Sequence, residues 1–388
     1  MVFYSKKMKN KTKKKLAYLI FRNFLFLSSH YSRQFIQLAQ ECHNRAINVE
    51  GKKFTYYHQG RYLRSGSLPS PSKSFWRRVD SIGDDKEFLH FTSLTRQSFN
   101  LLVDLTQNII ENHSYDNRFG KPRQWDLKKR MFKPRDVIAM ALRYLLSKGE
   151  IKDLIPHFGA TASTFCSNVD LGLKAIVKAL IIDERSRVYW DRSEAHCKEA
   201  ADLTSKFLDI PNVIGMIDGI KVSTQSPSNP VLQNRDYNGW TKEVTRNLIF
   251  IWDPNGMIVD AAVNLPGSFH DSRSAMWCNI YSHITKLPGD YKIVADDAFC
   301  CSGELKGKIV KTKLQFCDTI IPDDHDQSLT HLRQCSEWGN GVLTGVFRRL
   351  QTKLPSFNVK RETIMWSCIL LYNFCTSTVG TNQIKTYF

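Results

Sequence analysis

No Cys-X-X-Cys pair occurs in these 388 residues, although ten cysteines are present. Paired thiols at that spacing mark structural zinc or redox exchange, so their absence argues against a zinc finger. The cysteines are scattered through apolar stretches, which argues against a disulfide framework and for a reducing compartment. No apolar run is long enough to cross a bilayer. The nearest approach, "LAYLIFRNFLFLSS" at 16–29, is broken by Arg22 and Asn23 and lacks a convincing small-residue cleavage site. Acidic residues are scarce too, 37 against 55 basic ones, leaving a net charge of +18. Such an excess attracts polyanions, either nucleic acid or an anionic membrane surface. The run "KKMKNKTKKK" at 6–15 favours the first, as a nucleic-acid-binding tail or a nuclear import signal.

What is present is enough for a core, with 42% hydrophobic residues. The length suggests two or three folding units. Residues 1–85 form a basic region of weak periodicity, in which "RYLRSGSLPSPSKS" at 61–74 reads as a linker. Residues 86–205 are helical in pattern. "LTRQSFNLLVDLTQNIIENH" repeats its apolar residues near the helical period, with Thr95 as a candidate N-cap. "KPRDVIAMALRYLLSKG" places Pro134 in a first turn and Gly149 at a stop. Across 150–180, a short helix, a turn at Phe158–Ala160 and a helix opening at Thr161 or Ser163 suit a helix-turn-helix. Such a unit lays its second helix in a DNA groove; the alternative is a small packed bundle.

Residues 206–388 change texture to strands, then helices. "VIGMIDGIKV" at 213–222 reads as a buried strand, and "TRNLIFIWDPNGMIVDAAVNL" as two strands around a Pro-Asn-Gly turn. "YKIVADDAF" ends another strand; "RQCSEWGNGVLTGVFRRLQTKL" and "RETIMWSCILLYNFC" read as helices. The fold class is therefore α/β with a mixed sheet behind a small all-helical segment.

Asp218 sits in the middle of the first apolar strand, where an unpaired carboxylate is costly unless a cation meets it. An Asp-Gly turn is the alternative. Asp271, Asp296 (with Asp297 beside it) and Glu337 punctuate the same half. If the early strands form a meander and "YKIVAD" pairs with the first, Asp218 and Asp296 become neighbours, and a crossing helix brings in Glu337. Clustered carboxylates of this kind suit Mg²⁺ or Mn²⁺, two of which would clamp the oxygens of a phosphodiester displacement.

The blocks "GMIDGIKV", "YNGWTKEVTRNLIFIWDPNGMIVDAAVNLPGSFHDSRS", "VADDAF", "LRQCSEWGNGVLTGVFRRLQ" and "CILLYNF" resemble, in order, those of PIF/Harbinger-type DDE transposases. The resemblance covers about 210–376, and the helical 91–180 looks like the family's preceding segment. It implies a ribonuclease-H-like DDE nuclease domain at 206–388. Asp218, Asp296 and Glu337 would be catalytic, and these three with Asp271 would be metal ligands. Asp296 is assigned because Phe299 stands where the family's aromatic is expected, while Ala298 in place of the usual glycine leaves Asp297 a rival. Two basic positions of the family's Leu-Lys-x-Arg-Phe block are Thr344 and Val346 here, with Arg348 and Arg349 following.

The expectation is a nuclear, metal-dependent endonuclease or transposase acting on double-stranded DNA, without a membrane partner. Family members often use a Myb-like companion, and an oligomer is compatible with the sequence. The alternatives are a transposase-derived DNA- or chromatin-binding protein that does not cut, and an ordinary nuclease that does not join strands. Arg333, one turn before Glu337, would hold that carboxylate, contact DNA, or form an ordinary surface pair. His270 would orient Asp271 or sit in a structural turn. Lys221, Arg235, Lys242 and Arg246 are candidate phosphate contacts. His325, His331 and Cys335 make no persuasive zinc site.

Overall fold

Two of the helices that precede the sheet, those opening at Arg96 and Ala162, are capped by the threonines that the sequence points to. The computed structural model describes residues 65–116, 122–124, 130–205, 210–311, 323–380 and 382–384; the basic run at 6–15 and the apolar stretch at 16–29 lie outside them. Helices α1 (Phe75–Ile82), α2 (Asp85–Thr92) and α3 (Arg96–Glu111) lead into a two-stranded ribbon, β1 (Ser114–Asp116) and β2 (Pro122–Gln124). Thr95 caps α3 by accepting from the Ser98 amide. Then follow α4 (Pro134–Leu146), the single turn α5 (Ile151–Leu154), α6 (Ala162–Leu180) and α7 (Glu194–Ser205). Pro134 occupies the first turn of α4, whose missing amide hydrogen would be unpaired anyway, but the helix stops at Ser147 rather than at Gly149. Thr161 caps α6 after a turn in which Gly159 takes a φ of +64°.

Residues 65–74 are not a loose linker. They form two short 3₁₀ turns, and Pro69 and Ser70 pack directly on Gly159. The helix that follows buries Trp76 among Phe88, Phe91, Phe99 and Phe158. The Trp76 indole donates to Asp136 Oδ1 at 2.9 Å, and Arg77 meets Asp136 Oδ2 at 2.7 Å. The Lys133 amide donates to the same oxygen at 2.9 Å, so one buried carboxylate joins α1 to the start of α4. The second helix of the expected helix-turn-helix, α6, packs against α3, α4 and a long C-terminal helix, and ten of its residues, from Phe165 to Leu180, are buried. This is the packed-bundle arrangement.

The sheet is built from β3 (Val213–Ser223), β5 (Glu243–Trp252), β6 (Ile258–Pro266), β7 (Lys292–Ala295) and β8 (Ile309–Lys311), in the order β6-β5-β3-β7-β8. A short helix α8 (Pro230–Asp236) and the two-residue β4 (Tyr237–Asn238) intervene, with β4 sharing the outer edge of β5 with β6. Strands β3, β5 and β6 form an antiparallel meander, whereas β7 runs parallel to β3 and β8 parallel to β7. The strands read as nearly continuous apolar runs because both faces are covered. Met216, Phe250, Trp252 and Val294 enter the larger core with α11 (Asp323–Val346) and α12 (Asn358–Val379). Their alternates Ile217, Ile249, Ile251 and Ile293 pack with α7, α9 (Asp271–Trp277) and α10 (Ile280–Thr285).

α11 begins at Asp323, ten residues before the expected start at Arg333. Two aspartates, Asp323 and Asp324, favour a helix N-terminus, yet this first stretch is too polar to show an apolar period. Arg349, just after α11, donates through Nε to the Tyr144 carbonyl and through its terminal nitrogen to that of Gly149, both at 3.0 Å, fastening the end of α4 to the sheet side. The eight described cysteines are all free thiols. Among the described residues no helix is long and apolar enough to cross a membrane.

Candidate active site

Side chains alternate along a strand, and this alternation decides where the acids go. Met216 of β3 faces α11, so Asp218, two residues on, faces it as well. In β7 the corresponding residue is Val294, and Asp296 follows two residues later. Ile217 pairs with Ala295 in parallel register, which sets Asp218 and Asp296 side by side where the two strands end their pairing. The segment 213–222 is thus one continuous strand, with no turn at Asp218-Gly219.

The Asp218 carboxylate is held at both oxygens. Oδ1 accepts from the Gly219 amide at 2.7 Å, and Oδ2 from Asn340 Nδ2 of α11 at 2.8 Å. Burial pushes its pKa up to about 6; the Gly219 bond opposes this, and the charges of Asp296, Asp271 and Glu337 add to it. The three other acids therefore lie within electrostatic reach of Asp218. Arg333 spans two of them, at 3.1 Å from Glu337 Oε1 and 3.7 Å from Asp296 Oδ1. It is more than a surface i,i+4 pair, because it also ties α11 to the end of β7.

Asp271 arrives differently. It opens α9 on the other side of the sheet, and a β-carbon on Gly219 would lie 3.2 Å from its Oδ1. Glycine at 219 lets the carboxylate come this close to the strand. Lys221, on the same side as Gly219, approaches Asp271 at 3.8 Å. The structure thus brings Asp218, Asp296 and Glu337 to one face and leaves Asp271 beside them across β3. Asp297 is exposed; its amide donates to Asp296 Oδ1 at 2.6 Å and its carbonyl accepts from Lys311.

Among the described residues no three His, Cys, Asp or Glu side chains are drawn together at metal-binding spacing. The donor chemistry nevertheless fits a hard divalent cation. The groups are carboxylate oxygens; burial is the foremost cause of the raised Asp218 pKa, and the charges of the neighbouring acids add to it. Arg333 and Asn340 satisfy part of that charge.

Residues 217–373 match the DDE superfamily endonuclease family model. The endonuclease match opens one residue before Asp218 and closes in α12, so all four acids fall inside it. It supports a DDE transposase-like nuclease over this segment. No curated protein and no solved structure matches the chain.

Arg246 is removed from the candidate phosphate contacts. It is buried, pairs with Asp236 through a short bond, and donates to the Asn264 carbonyl at 3.1 Å. Burial, the foremost cause, lowers its pKa to about 9. Lys242 is exposed, and Arg235 is partly exposed although paired with Asp236. His270 is exposed at the N-cap of α9. Cys335 is buried and His331 exposed, while the side chain of His325 lies outside the described residues. Sequence reasoning missed Asn340; an asparagine three residues after an acid on a predicted helix was its available signal.

Proposed function

We propose that this protein is a metal-dependent DNA endonuclease of the PIF/Harbinger transposase type, with a ribonuclease-H-like core. The observation that carries the reading is the approach of Glu337, from a helix more than a hundred residues along the chain, to Asp218 and Asp296 at the end of two parallel strands. Asp218, Asp296 and Glu337 would hold Mg²⁺ or Mn²⁺, with Asp271 in support. A cation held by these carboxylates would supply Lewis acidity for phosphodiester cleavage. The chain's own residues position the carboxylates: Asn340 and the Gly219 amide fix Asp218, and Arg333 holds Asp296 and Glu337. Lys221, Lys242 and the net charge of +18 suit a polyanionic duplex. The basic run at 6–15 suits nuclear import, and a Myb-like companion would add sequence specificity.

The purified chain should convert supercoiled plasmid to nicked circles with Mg²⁺ or Mn²⁺ and not with EDTA. A salt-dependent mobility shift of DNA without nicks would replace this reading with that of a transposase-derived binding protein. That second reading is favoured by one observation: Arg333 already neutralises two of the acids.

Asp296→Asn should lower nicking by about 10²-fold or more, since its carboxylate faces Asp218. Asp297→Asn should change it by less than about threefold, because its exposed side chain is no part of that cluster. Initial rates on plasmid DNA separate the two, and the opposite ranking would exchange their roles.

A further inference from the structure

We propose that the side-chain amide of Asn340 is a further oxygen ligand for the divalent cation, beside Asp218. The inference rests on the metal-dependent reading above and adds a neutral ligand to its carboxylates.

Asn340 lies three residues after Glu337, so the two project from neighbouring positions on one side of α11. The residue between Trp338 and Asn340 is Gly339, where a β-carbon would stand 3.1 Å from the Trp252 indole and 3.0 Å from Ile384 Cδ1. Its small size lets the helix settle onto the sheet and lowers Asn340 onto Asp218. Asn340 is only 7% exposed. Its Nδ2 reaches Asp218 Oδ2 at 2.8 Å, while its Oδ1 is buried and has no hydrogen-bond partner.

A buried amide oxygen left unpaired is costly, and such groups are few in folded proteins. It also means that nothing on the far side locks the amide in its present orientation. Half a turn about Cβ–Cγ exchanges the oxygen and nitrogen and breaks only the bond to Asp218. The amide oxygen would then stand where Nδ2 stands now, 2.8 Å from a carboxylate oxygen. Two oxygens in that position repel each other unless a cation lies between them. Adjacent ligands of an octahedral Mg²⁺, each at about 2.0–2.1 Å, are about 2.9 Å apart. The Asp218–Asn340 spacing is therefore already that of two adjacent ligands. The turned amide leaves its nitrogen facing the same unpartnered space, so the cation decides between the two orientations.

The test is Mn²⁺ binding to the full chain, read by calorimetry and by the paramagnetic resonance signal of free Mn²⁺, with no DNA present. Asn340→Leu should weaken Mn²⁺ binding by about tenfold or more. Asn340→Asp should bind at least as tightly as the parent, because it keeps an oxygen there and adds charge. If the amide served only to donate to Asp218, the aspartate variant would be the worse of the two, having lost the donor and gained repulsion; that ranking overturns the proposal. Equal affinities for parent and leucine variant overturn it as well. A parent chain that binds no Mn²⁺ removes both this inference and the metal-dependent reading, whereas one that binds Mn²⁺ but leaves plasmid uncut removes the cutting alone. Thermal unfolding in EDTA establishes that each variant is folded before it is titrated.

Discussion

Asp218→Asn is expected to reduce Mg²⁺-dependent nicking by about 10³-fold or more, equivalent to roughly 4 kcal/mol of transition-state stabilisation. DNA affinity measured in Ca²⁺ or EDTA should change little, since Asp218 faces α11 and the other acids rather than the basic side chains. Nicking by the variant at more than about a tenth of the parental rate would remove Asp218 from the chemistry. The same substitution has a second, opposite effect. The folded-state pKa of about 6 lies above the value of about 3.9 expected in the unfolded chain. The folded protein therefore takes up this proton more readily than the unfolded one does. The resulting stability is fully present below about pH 4 and is lost as the pH rises through about 6. Without divalent metal, Asp218→Asn should thus melt higher than the parent at pH 7.5, and the difference should shrink on acidification to pH 4.5. A loss of stability at pH 7.5 would contradict the placement of this carboxylate among others.

Asp136→Ala carries the largest expected effect on folding. Its carboxylate is buried and receives the Trp76 indole, the Arg77 guanidinium and the Lys133 amide within 2.7–2.9 Å. Removing it leaves a buried indole N–H and the first turn of α4 without their acceptor. Arg77 is about one-third exposed and can turn toward water, which softens the loss. We expect roughly 3 kcal/mol of destabilisation by urea unfolding, with an unchanged slope. Asp136→Asn keeps an acceptor for the indole and should lose less. A change below about 1 kcal/mol in the alanine variant would mean that the aromatic cluster around Trp76 holds α1 in place unaided.

How much of this was legible beforehand depended on what each residue's neighbours had to be. The strands announced themselves because a sheet covered on both faces demands unbroken apolar runs, and "VIGMIDGIKV" and "NLIFIW" supply them. The charge in the first of these runs was readable for the same reason: everything around it is apolar. Thr95 and Pro134 could be read because capping is a local matter. The first ten residues of α11 were hidden because their helix is polar there, and periodicity speaks only where a face is buried. Arg246 looked like a phosphate contact because no spacing reveals that Asp236 lies beside it in the fold. Asn340 was silent for a similar reason, since its meaning comes from a partner 122 residues away. The side of the sheet from which Asp271 arrives depends on where α9 docks, which no local pattern encodes.

Among the described residues, the clasp of Arg349 on the end of α4 and the apolar interior common to α3, α4, α6 and the sheet join the helices directly to the sheet that carries the carboxylates. On the DNA-cutting reading proposed above, a duplex held against that single body would meet the acids at a fixed offset, as a workpiece meets a blade set in the same casting. Any adjustment needed to bring the scissile phosphate into place would then fall to the DNA, by bending or fraying, and flexible sites would be cut before stiff ones.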